Sequence, residues 1–90
     1  MVYMISYDLT QPERNYKAVQ EIIETCSCGK FVHPLGSVYL ISTTLTSNKL
    51  TELIKTTIDK DDSFLVCEIT RNYQGYIKAE LWKDIEQLFS

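Results

Sequence analysis

Twice within its first 69 residues the chain passes from a short, dense apolar run to a longer stretch with helical apolar spacing, and back to an apolar run. Residues 2–7 (VYMISY) are almost all apolar or aromatic, the composition of a central strand covered on both faces. Thr10, Pro12 and Glu13 then form a helix-start signal, with Thr10 as the cap and Pro12 in the first turn. Tyr16, Val19, Ile22, Ile23 and Cys26 recur on one helical stripe and Gly29 lies just beyond it, which predicts a helix over 12–27. Strands follow at 31–33, closed by Pro34, and at 37–43, with Leu35-Gly36 turning the chain between them. Leu50, Leu53, Ile54 and Ile58 predict a second helix over 47–58, capped by Thr46 or Ser47. After an acidic turn at 59–62, residues 63–69 (SFLVCEI) predict the last strand. Residues 70–77 read as irregular, and Ile77, Leu81, Trp82, Ile85, Leu88 and Phe89 mark the apolar side of a closing helix over 78–89.

Two successive strand–helix–strand units in so short a chain predict an α+β fold. The expected form is a ferredoxin-like βαββαβ sandwich with a four-stranded antiparallel sheet, right-handed crossovers and an added C-terminal helix. Residues 1–90 form one domain, with 78–89 as the addition. Two helices cover one sheet face. The other is left for the terminal helix, a second copy or a ligand, and a homodimer is expected because ninety residues bury only a modest core. Trp82, beside the stripe of the closing helix, is expected to be at least half buried.

Charged residues make up 23% of the chain and apolar ones 44%, a balance that disfavours disorder. Twelve acidic against nine basic side chains leave a net charge of −3, which argues against tight nonspecific binding to nucleic acid. No apolar run reaches the roughly 20 residues that cross a bilayer, and no basic-then-apolar leader is visible. The expectation is a cytoplasmic protein without a membrane partner, and three cysteines, Cys26, Cys28 and Cys67, kept as free thiols.

Asp8 draws attention because it ends an apolar strand beside a helix start. It reads either as a turn or capping aspartate or as a metal ligand. One carboxylate per chain is too little for Mg²⁺, which also takes waters, phosphate or a second carboxylate, so a symmetric dimer would have to bring two Asp8 side chains together. The spacing of Cys26, Cys28, His33 and Cys67 does not match a zinc finger. His33, the only histidine, fits an ordinary structural position. Arg14, Lys17, Lys30 and Arg71 offer a small basic patch. The six tyrosines fit core or dimer packing better than base stacking.

YDL at 7–9 with Arg14 six residues after Asp8, SVYLI at 37–41 and DDSFLV at 61–66 resemble a known family. It is that of the small CRISPR-associated subunit used in spacer acquisition and its toxin-like relative, virulence-associated protein D. The resemblance covers residues 1 to about 69. It implies a ferredoxin-like homodimer belonging to a defence or mobile-element system that handles nucleic acid. It also implies that Asp8 is the metal-binding carboxylate of a nuclease using Mg²⁺, that Tyr7 and Ser37 flank it at the nucleic acid, and that Arg14 contacts phosphate. Three readings of function follow: a small dimeric accessory or interaction module with a nucleic-acid or protein partner, a metal-dependent endonuclease acting on RNA or DNA through paired Asp8 carboxylates, or a small-molecule-binding regulatory domain, a common use of this sandwich. A single acid in view and an acidic surface favour the interaction module.

Overall fold

The structure, a computed structural model, describes residues 1–10 and 16–90 in full and residues 12–15 as helix backbone. The elements run β1 (Val2–Asp8), α1 (Pro12–Ser27), β2 (Phe31–Leu35), β3 (Val38–Ser42), α2 (Ser47–Lys55), β4 (Ser63–Glu68) and α3 (Ala79–Leu88). This is an α+β fold whose four strands make one sheet in the order β2-β3-β1-β4. Every neighbouring pair is antiparallel. β1 is therefore central, as its unbroken apolar run requires, and β2 and β4 are the edges.

Strand alternation divides the core into two layers, an upper one under α1 and α2 and a lower one against α3. Tyr3, Ile5 and Tyr7 of β1 pack with Tyr39 and Ile41 of β3 under α1 and α2, where Val19, Ile23, Leu50 and Ile54 are all fully buried. Val2, Val32 and Leu40 project to the opposite face and are covered by Ile85 and Leu88 of α3. The terminal helix thus docks on the face the first two helices leave bare, packing on the β2 and β3 side. Trp82 is largely buried there, as its place beside the stripe required.

Several element ends shift by a residue from expectation, and three boundaries differ for identifiable reasons. β2 runs on to Leu35, through Pro34. Its pairing with β3 is irregular between Val32 and Leu35, and at an irregular sheet edge a residue without an N–H costs no ladder bond. α2 ends at Lys55 rather than 58, because the hydroxyls of Thr56 and Thr57 bond back to the carbonyls of Leu53 and Ile54 and satisfy the helix end. β4 closes at Glu68, although the Ile69 N–H still reaches the Val2 carbonyl at 2.9 Å. Two helix starts behave differently. Thr46 caps α2 by accepting from the Lys49 N–H. Thr10 is not the residue before α1, which begins at Pro12, so the capping position falls on Gln11, outside the described residues. The three cysteines are free. Among the described residues, no helix is long and apolar enough to cross a membrane.

Candidate functional site

Asp8 is the last residue of β1 and stands opposite Ser63 of β4. By alternation it shares the face of Met4 and Ser6, so it points away from α1 and is exposed. With Ser6, Ser63 and Leu65 it borders a shallow depression of about 250 Å³. Among the described residues its carboxylate makes no hydrogen bond and no ion pair. The aspartate that ties the turn together is another. Asp62, only 8% exposed, accepts from the main-chain N–H of Thr10 at 2.8 Å and from its hydroxyl at 2.9 Å. Its second oxygen accepts from the Asp59 N–H at 2.8 Å. Asp62 staples the β1–α1 connection to the start of β4, the task that the sequence suggested for Asp8 in its capping reading.

The residues that the resemblance groups with Asp8 are spread apart. Tyr7 is 4% exposed and faces α1, so it lies on the opposite side of the sheet and offers no ring face to a base. Ser37 is exposed, and its carbonyl accepts from the Tyr7 N–H at 3.0 Å, so it adjoins Tyr7 through the main chain. The Arg14 side chain lies outside the described residues. The other basic side chains do not gather into one patch: Lys17 pairs with Glu21 along α1, and Arg71 pairs with Glu86 of α3.

Tyr7 belongs instead to an aromatic cluster under α1. Its ring meets Tyr16 edge-on at 5.5 Å and stacks beside Tyr39 at 6.4 Å. The Tyr39 hydroxyl donates to Glu24 at 2.6 Å, and His33 packs edge-on against the same ring at 4.1 Å. Burial pushes the ionisation of the Tyr39 phenol well above its usual value, and the bonded Glu24 carboxylate adds to the effect. Burial does the same for Tyr7, while nearby Gln20 pulls the other way. Among the described residues, neither the Tyr7 hydroxyl nor His33 Nδ1 has a partner in hydrogen-bond geometry. The cluster is a packed one, its Tyr7 and Tyr39 phenols un-ionised, that holds α1 to the sheet.

Metal chemistry finds little support in one copy. His33 on β2 and Cys67 on β4 occupy opposite edges of the sheet, about 14 Å apart at strand spacing, beyond the reach of one ion. Among the described residues, no three His, Cys, Asp or Glu side chains gather as a metal needs. Among the described residues, the donors beside Asp8 are serine hydroxyls, a poor set for Mg²⁺, so these residues of one copy do not fit that ion.

One open feature is the β4 edge. The bond from Ile69 to Val2, carried along the register, turns the main-chain groups of Cys67, Leu65 and Ser63 toward β1, and those of Phe64, Val66 and Glu68 outward. Leu65 is 60% exposed on one face of this strand. On the other face a groove of about 430 Å³ runs between β4 and α2, with Ile58, Phe64 and Val66 along it. No local signal could have marked this edge, since a strand's place in the sheet depends on pairings distant in sequence. Searches against protein-family models, curated proteins and solved structures give no match to this chain.

Proposed function

We propose that the protein is a small interaction module that associates through the β4 edge, first with a second copy of itself. The carrying observation is that edge: a row of outward N–H and C=O groups beside an exposed Leu65. Unpaired edges of this kind are templates for adding a strand from another chain. The ferredoxin-like reading of the fold is part of the same proposal. It is supported by the order β2-β3-β1-β4, in which each strand–helix–strand unit skips one position. The wider role, an accessory in a nucleic-acid-related defence or mobile-element system in the cytoplasm, rests on the YDL, SVYLI and DDSFLV segments.

Sedimentation of the purified chain at micromolar concentration tests the association. A dimer that becomes a monomer in Leu65→Lys is the expected result, because a lysine on an edge strand opposes pairing while its exposed site leaves the fold intact. A wild-type monomer would overturn the proposal. The endonuclease reading keeps one favourable observation, the exposed Asp8 carboxylate left uncommitted by the fold. Mg²⁺-dependent cleavage of RNA or DNA that disappears in Asp8→Asn would establish it in place of the interaction module.

A further inference from the structure

The α3 face holds a cavity that neither the β4 edge nor Asp8 uses. It lies between the sheet, α3 and the segment 73–77, is open to solvent at one side, and has a volume of about 260 Å³. Met4 and Leu40 form its floor, and Trp82 and Tyr73 form one wall, their rings nearly parallel at 7° and 6.1 Å apart. No acidic or basic side chain lines it, and Gln74 contributes the one side-chain amide. The Tyr73 hydroxyl is turned outward to Glu86 at 3.3 Å, so it adds an apolar ring to the wall without a polar tip inside. At the mouth Tyr76 is wholly exposed, at 102%. An aromatic ring left in water at the rim of an apolar cavity gains burial only when something fills the cavity and lets the ring close over it.

The chemistry of the lining selects the occupant. Water in such a space finds few hydrogen-bond partners, and displacing poorly held water with an apolar group is favourable. A cavity of about 150 Å³ already takes a benzene ring, so this larger one has room for two rings. A charged group would enter without a counter-charge. We infer that this cavity binds an uncharged, flat two-ring aromatic molecule, held against the Trp82–Tyr73 wall and covered by Tyr76.

Two probes with one ring system test this on the whole chain. 2-Naphthol is uncharged at neutral pH, and naphthalene-2-sulfonate carries a sulfonate in place of the hydroxyl. The uncharged probe is expected to bind saturably at one site and to lower the emission of Trp82, the single tryptophan. The sulfonate is expected to bind at least about tenfold more weakly. A side chain added at Gly75 starts 3.8 Å from the Trp82 ring and grows into the cavity, so Gly75→Leu should weaken the uncharged probe by about tenfold or more. Tyr76→Ala, at a position that makes no packing contribution, should weaken it about threefold with an unchanged melting temperature. Equal affinity for both probes, unsaturable binding, or unaltered binding in Tyr76→Ala and a folded Gly75→Leu would overturn the inference. If Gly75→Leu does not fold, the probe pair and Tyr76→Ala decide it alone.

Discussion

Removing the Asp62 carboxylate leaves the main-chain N–H groups of Thr10 and Asp59 without this acceptor at a partly buried site. A buried donor without an acceptor costs about 1–3 kcal/mol, so Asp62→Ala is expected to destabilise the domain by about 2–4 kcal/mol, measured as a shift in the urea midpoint. Among the described residues Asp8→Asn removes no bond, and it should stay within about 0.5 kcal/mol of wild type. A large loss at Asp8 with none at Asp62 would reverse these assignments. From the sequence the two aspartates look alike, each next to a strand end. What separates them is a contact spanning 52 residues, which has no local signature. The cysteines also differ residue by residue. Cys26 is buried, and burial pushes its thiol up, whereas Cys28 is exposed in the left-handed region at φ 53. A thiol reagent used in limiting amount should therefore label Cys28 ahead of Cys26, as peptide mapping would show; preferential labelling of Cys26 would mean that the end of α1 opens.

Among the elements, α3 is the one whose stripe was legible and whose destination was not. Ile77, Leu81, Ile85 and Leu88 announce that a face will be covered, but the covering surface is formed by Val2, Val32 and Leu40 from three separate strands. The helix is further held by a run of rings, Trp82 on Tyr73 and Tyr73 on Phe89, with the Arg71 guanidinium 5.2 Å above Phe89 and paired to Glu86. Ile85→Ala should cost about 2–4 kcal/mol, in the range for emptying a buried aliphatic site. Truncation before residue 78 should expose the lower core layer and lead to aggregation. A soluble, cooperatively melting truncation would show that the helix is an appendage. Pro34 hid the second half of β2 for the opposite reason. Proline reads as a strand stop, yet at an irregular sheet edge it is tolerated.

For the molecule as a whole, the upper core layer sets a response to alkali. The fold holds the Tyr7 and Tyr39 phenols neutral, with ionisation raised above the ordinary value near 10. A group whose folded value is raised stabilises fully below its unfolded value and loses that contribution as pH climbs through the folded one. Stability should thus be unaffected by these groups below about pH 10 and fall steeply above it. Phenolate absorbance near 295 nm should rise cooperatively, together with loss of the circular dichroism signal. A smooth titration of all six phenols near pH 10 with the fold retained would contradict the burial of the cluster. Class and strand order were approachable from periodicity because β1 is apolar on both sides and so had to be central. The open β4 edge and the cavity beneath α3 were not, since each is assembled from segments far apart in the chain.

The central place of β1 has a consequence for how the chain is made. During synthesis β1 emerges before both of its sheet neighbours, β3 and β4, and the Asp62 staple that fixes it arrives 52 residues after Thr10. At a synthesis rate of about 5–20 residues per second, that interval is about 3–10 s. Throughout it the segment VYMISY has one flank unpaired and both faces incompletely covered. The nascent chain is therefore expected to depend on chaperone shielding at its beginning, and to form its lower layer only after α3 has cleared the exit tunnel.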